Sequence, residues 1–219
     1  MEIFNKIVSN NDLCYDVGAN NGNKTESLLN LGARVVCIEP QSGCYQHLVG
    51  KFTGNQNVHI ENTALGKADG VGSIHISQAH TLSTMSESFM SETTKERFVG
   101  NSWNSQEEVK ITTLDHLISK YGIPKFCKID VEGFEVEVLK GLSQPIPFLS
   151  IEFVPELKSN TFECIEILSK LGDYKFNYSE GESGVFSFEE NISKEDIIEF
   201  LSKNNDYKVS FGDLYAINA

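Results

Sequence analysis

Positive charge is scarce in this chain: 18 Lys and Arg stand against 31 Asp and Glu, a formal net charge of -13. The summed field repels a phosphate backbone and offers no counterion release, so DNA and RNA are not expected partners. Long apolar runs are missing as well. No stretch reaches the roughly 20 apolar residues that cross a bilayer, so no membrane association is expected. The first residues, MEIFNKIVSNND, lack a basic flank followed by an apolar run, and the chain reads as cytoplasmic. Paired C-x-x-C spacings are also absent. The five cysteines are odd in number; Cys14, Cys37 and Cys127 lie inside apolar runs, and Cys44 and Cys164 fall on expected helices. They read as small core residues, not as a zinc or redox centre. No repeat or linker interrupts the 219 residues, of which 40% are hydrophobic and 22% charged, so one folded domain is expected.

What is present is an alternation of strand and helix signals. Leu13 to Val17 is a short apolar run leading into Gly18, and Thr25 to Leu31 spaces its leucines for one helix face closed by Gly32. Arg34 to Glu39 reads as a strand buried on both faces, after which Pro40 opens a helix through about Phe52. Asn57 to Leu65 reads as a third strand with its loop, and Val71 to Ser77 alternates like an exposed antiparallel strand. Val109 to Thr112, Lys125 to Val131, Phe148 to Phe153, Tyr174 to Tyr178, Val185 to Phe188 and Leu214 to Ile217 read as further strands. Helices are expected over Leu114 to Tyr121, Phe134 to Leu142 and Thr161 to Leu171, and from a Ser193 cap to about Asn204. Such alternation predicts an α/β, Rossmann-like fold with a mostly parallel central sheet and helices on both faces. Ligands bind such sheets at the carboxyl ends of their strands. His80 to Gln106 is rich in Ser, Thr and Glu and poor in apolar residues; it is expected to be a mobile loop or loosely packed helix, and a lid.

The strongest local signal is Tyr15-Asp-Val-Gly-Ala-Asn-Asn-Gly22, set between the first strand and the first helix. Gly18 and Gly22 let the backbone approach a ligand closely. A dinucleotide is the obvious rival ligand, but Asp16 would set a carboxylate beside its pyrophosphate. A cationic ligand suits the loop better, such as the ammonium and sulfonium of S-adenosylmethionine. Glu39 ends the second strand, where a carboxylate can accept hydrogen bonds from both hydroxyls of a ribose. Lys128, Asp130 and Glu132 lie on one side of an extended chain, alternating with Ile129 and Val131. Glu152, between Ile151 and Phe153, repeats the pattern. On adjacent strands Asp130, Glu132 and Glu152 form an acidic cluster that deprotonates an acceptor hydroxyl or holds a divalent cation, unless these acids only pair with Lys128 or other cations.

In their order and spacing, YDVGANNGNKT, VVCIEP, NTALG, ITTLDHL, KIDVEGFEVEVLKGL and the following IEF resemble the FkbM family of methyltransferases from about Leu13 to Phe153. The resemblance implies a class I methyltransferase fold, S-adenosylmethionine as cofactor and transfer of its methyl group to a hydroxyl of a sugar or natural-product-like acceptor. It also implies that Asp16, Gly18, Asn20 and Gly22 contact the methionine part, Glu39 the ribose, and Asn62, Thr63 and Ala64 the adenine, with Asp130 near the methyl donor. Ser86 to Gln106 matches no fixed motif of the family and falls where acceptor selection is expected. A nicotinamide-dependent oxidoreductase, which the same fold supports, lacks its G-x-G-x-x-G turn here. The other alternative is a cofactor-binding module without catalysis.

Overall fold

In the computed structural model, which describes residues 2–95, 97–203 and 211–218, the apolar runs build a seven-stranded sheet. The chain runs through α1 (Glu2–Ile7), β1 (Leu13–Val17), α2 (Asn23–Asn30), β2 (Arg34–Ile38), α3 (Ser42–Lys51) and β3 (Val58–Glu61). Next come β4 (Ala64–Leu65), β5 (Gly70–Ser77), α4 (Glu87–Thr93), β6 (Trp103–Thr112), α5 (Leu114–Tyr121) and β7 (Phe126–Ile129). Then follow α6 (Glu135–Leu139), β8 (Phe148–Phe153), α7 (Lys158–Leu171), β9 (Tyr174–Glu180), α8 (Lys194–Ser202) and β10 (Gly212–Asn218). The sheet order is β3-β2-β1-β7-β8-β10-β9, with β3, β2, β1, β7 and β8 mutually parallel and β10 antiparallel to both neighbours.

Side chains alternate across a strand, so each strand feeds two cores. Cys14, Val35 and Phe126 pack with Ile3, Phe4 and Leu28 of α1 and α2. Tyr15, Val17, Cys127 and Ile129 belong to the larger core with Leu117 of α5, Ile165 and Leu168 of α7 and Leu201 of α8. The Tyr15 hydroxyl donates to the carbonyls of Leu117 and Gly122 at 2.9 and 2.8 Å, tying the end of α5 to the sheet. All five cysteines are buried and unpaired. No helix among the described residues is long and apolar enough to cross a membrane.

The structure departs from the sequence expectations at several elements. The run from Asn57 to Leu65 is cut at Asn62 and Thr63: β3 joins the main sheet, whereas β4 pairs with β6 in a separate three-stranded sheet, β4-β6-β5. The strand expected from Val109 begins at Trp103, because β5 offers an antiparallel partner along its whole length. The polar segment is therefore not one loose loop. Its residues 80–82 form a turn of 3-10 helix and residues 87–93 form α4, whose Phe89 is fully buried against Val154 and Leu157; residue 96 lies outside the described residues. Phe89, with Phe98, Trp103 and Leu82 packed around it, anchors the segment while buried Ser83, Thr84, Ser86 and Thr93 satisfy backbone groups. Finally, Val185 to Phe188 is not a strand; it is held by bonds from Ser187 N to the Tyr178 carbonyl and from Phe188 N to Asn177 Oδ1, at 2.7 and 3.2 Å. Ser193 caps α8 as expected, accepting from Asp196 N, but the expected end at Asn204 lies outside the described residues.

Candidate active site

The carboxyl ends of β1, β2 and β7 meet at a cavity of about 130 Å³, the crevice where sheets of this order take ligands. Its floor is the turn after β1. The amides of Gly18 and Ala19 both donate to the Ile38 carbonyl, at 3.0 and 3.1 Å, bending the chain across the end of β2. Gly18 has φ of +80°, and a Cβ there would lie 1.9 Å from the carbonyl oxygen of Asp130. Only glycine lets the two strand ends close to this distance. Gly22 starts α2 with φ of +73° and packs against Leu48 and Phe52 rather than the cavity. Asp16 also points away from it. Its buried carboxylate accepts from the Thr25 hydroxyl at 2.6 Å, and burial raises its pKa against the opposing pull of Thr25 and Lys128.

Glu39 faces the cavity with its carboxylate fixed at both oxygens. Asn20 N donates to Oε2 and Gln41 N to Oε1, each at 2.8 Å, which leaves lone pairs on both oxygens free for a ligand. Burial pushes its pKa up to about 7, although the two amide bonds work to lower it. Thr63 and Ala64 line the same wall, while the exposed Asn62 spans behind it, donating to the carbonyls of Glu39 and Pro40 at 3.0 and 3.1 Å.

On the far side stands the acidic turn. Because β7 ends at Ile129, the alternation read through Glu132 stops there: Glu132 and Gly133 adopt φ of +53° and +90°. Glu135 holds this turn from inside, its Oε1 accepting from the amides of Val131 and Gly133 at 3.1 Å each. The turn brings Asp130, Glu132 and Glu152 together, with one carboxylate oxygen of each within 4.8 Å of the others. Lys128, 3% exposed, lies 2.5 Å from Asp130 and 3.9 Å from Asp213. Burial opposes its charge, yet Asp130, Asp213 and Asp16 hold its pKa well above the ordinary lysine value. Among the described residues no cation lies within ion-pair distance of Glu132 or Glu152. Burial first, and then the neighbouring carboxylates, raises both well above the usual carboxylate range.

The folded state thus binds protons that the unfolded chain releases. Glu39 and Glu135 rise from 4.5 to about 7, Glu135 again mainly through burial. Stability from these groups is fully present below pH 4.5 and is lost as pH rises through about 7. Urea midpoints are therefore expected to fall between pH 5 and pH 8, with a shallower fall in Glu135→Gln, where that titration is removed. A higher midpoint at pH 8, or an unchanged slope in the variant, would contradict this assignment.

Of the residues singled out from sequence, Gly18, Asn20, Glu39, Thr63, Ala64, Asp130 and Glu132 line the cavity, and Glu152 joins them through the acidic cluster. Asp16, Gly22 and Asn62 do not line it. Sequence reasoning missed Gln41, Thr84, Met85 and Phe134 in the lining and Glu135 beneath it. Thr84 and Met85 lie in the segment expected to be a lid, and Phe134 and Glu135 in KIDVEGFE, so only Gln41 carried no signal.

The sheet order and the crevice at its centre are those of the class I methyltransferase fold. Precorrin-6y C5,15-methyltransferase from Geobacter metallireducens GS-15 is similar over 99% of this chain and 87% of that one, with a TM-score of 0.51 at 10% identity. SMU.1697c from Streptococcus mutans, solved in complex with SAH, is similar over 100% and 94% of the chains, with a TM-score of 0.49 at 10% identity. An rRNA methylase from Streptococcus thermophilus is similar over 99% and 92%, with a TM-score of 0.48 at 11% identity. No curated protein sequence matches. Residues 16–208 match the methyltransferase FkbM domain, and the chain belongs to that family. Membership sets aside the oxidoreductase.

Proposed function

We propose that this protein transfers the methyl group of S-adenosylmethionine to a hydroxyl oxygen of a small-molecule or carbohydrate acceptor. The observation that carries the reading is the Glu39 carboxylate, fixed by two backbone amides at one end of a cavity whose other end is Asp130 and Glu132. The residues present fit the cofactor. Glu39 would accept hydrogen bonds from the ribose hydroxyls, Ile38, Ala64 and Leu65 would offer apolar contact to the adenine, and the turn at Gly18 and Asn20 would hold the methionine part. When bound, the cofactor supplies an electrophilic methyl group on a sulfonium.

The chain's own acids serve the acceptor. A neutral hydroxyl is a poor nucleophile, so Asp130, Glu132 or Glu152 would take the acceptor's hydroxyl proton as its oxygen attacks the methyl group. The three converging oxygens also favour a second reading, in which these acids hold a divalent cation that lowers the hydroxyl's pKa. Chelator sensitivity of turnover separates the two. Net charge of -13 disfavours a nucleic-acid acceptor.

Equilibrium binding tests the reading without an acceptor. S-adenosylhomocysteine at 100 times its Kd is expected to stabilise the fold by about 2.7 kcal/mol. Glu39→Gln is expected to weaken binding by about 1–3 kcal/mol, because an amide nitrogen would replace one acceptor oxygen. No thermal shift at saturating ligand, with calorimetry also silent, would overturn the cofactor assignment; unchanged affinity in the variant would remove Glu39 from the site.

A further inference from the structure

The two residues that fix Glu39 also hold the chain segment above it. Asn20 and Gln41 give their backbone amides to the carboxylate, and their side-chain amides to a single acceptor, the His80 carbonyl, at 3.3 and 3.2 Å. From His80 the chain crosses the cavity to Thr84, with Thr81, Ser83 and Thr84 among its lining. There the Thr84 hydroxyl donates to the Glu132 carbonyl at 2.6 Å. His80 to Thr84 is therefore a strap, pinned at one end beside the proposed ribose position and at the other on the acidic turn.

The Gln41 side chain stands between the Glu39 carboxylate, to which it also gives a hydrogen bond, and the strap. Gln41 is the residue before α3, yet its side chain makes no capping bond to that helix, and it is 7% exposed. Its amide is directed to His80 instead. We propose that Gln41 is a positioning residue whose side chain latches the strap from His80 to Thr84 over the bound cofactor, so that the cofactor passes in and out only when the latch opens. The inference rests on the cofactor reading given above. A latch of this kind stabilises the closed strap with or without ligand, so its loss changes the rates of passage more than the affinity.

The chain carries its own reporter. Its one tryptophan, Trp103, donates from Nε1 to the Leu82 carbonyl within the strap at 2.7 Å. Stopped-flow mixing with S-adenosylhomocysteine can be followed by Trp103 fluorescence, with rapid filtration of the tritiated ligand as an independent readout. In the wild type the observed association rate is expected to level off as ligand concentration rises, because opening becomes limiting. In Gln41→Ala and Gln41→Met the plateau and the dissociation rate are both expected to rise about fivefold, the effect of one lost hydrogen bond. Kd from calorimetry is expected to weaken by less than the rates rise, since liganded and free strap lose the same bond to His80 and only the contact to Glu39 differs.

A rise in the dissociation rate alone would make Gln41 an ordinary ligand contact, and unchanged rates would make it structural; either result overturns the latch and leaves the cofactor reading intact. A wild-type association rate linear in ligand up to the diffusion range overturns it too, and decides the matter if neither variant folds. Absence of any binding to the wild type by calorimetry removes the cofactor reading and the latch together.

Discussion

Gly18→Ala is expected to destabilise the protein by about 3 kcal/mol and to abolish S-adenosylhomocysteine binding, because it combines a strained backbone with a clash. The new Cβ would sit 1.9 Å from the Asp130 carbonyl oxygen, a backbone atom that cannot swing aside, and φ of +80° is itself unfavourable for alanine. Relief requires β1 and β7 to part at their carboxyl ends, which opens the cavity between the Glu39 wall and the acidic turn. Gly43 is the matched control. It lies in α3 with nothing within 4 Å of the Cβ position. Alanine there is expected to stabilise the helix by about 0.5–1 kcal/mol. Urea unfolding of the two variants checks both signs, and wild-type stability in Gly18→Ala would show that the two strand ends do not meet as described.

Loss of the acidic cluster is expected to separate activity from stability. Glu152→Gln removes a like charge from a group whose pKa burial and then Glu132 and Asp130 already raise. The variant should be as stable as the wild type or more so above pH 7, while turnover on a hydroxyl acceptor falls about 100-fold. Asp130→Asn should lower turnover similarly but also cost stability, because Lys128, 2.5 Å away and 3% exposed, loses its nearest counter-ion. Release of S-adenosylhomocysteine from S-adenosylmethionine across an acceptor panel gives the rates, and repeated unfolding the stabilities. If both variants turn over a hydroxyl acceptor at the wild-type rate, neither carboxylate takes the proton and the cluster only shapes the strand ends.

The pattern of strands and helices was legible because the period of apolar residues changes with the element. The runs at Leu13 to Val17, Arg34 to Glu39 and Phe148 to Phe153 appear as β1, β2 and β8 within a residue, and Gly32 and Gly122 close their helices. The family was legible too, since its ordered segments span the ends of several strands. The packing of the polar segment was not legible because composition averages over residues. One fully buried Phe89 outweighs many serines once Val154 and Leu157 are there to receive it.

By itself, then, the sequence determined the α/β alternation, the parallel sheet and the loops that bear Gly18, Glu39 and Asp130, because each depends on spacing along the chain. Tertiary structure alone decided which side chains share a space. It turned Asp16 toward Thr25 and away from the cavity, set Asp213 beside Lys128, and left Glu132 and Glu152 without a cation among the described residues. It also set Gln41 and Thr84, 43 positions apart along the chain, at opposite ends of one strap. Those outcomes follow from distances between residues remote in sequence and from the low dielectric around them, and neither quantity is written in local periodicity.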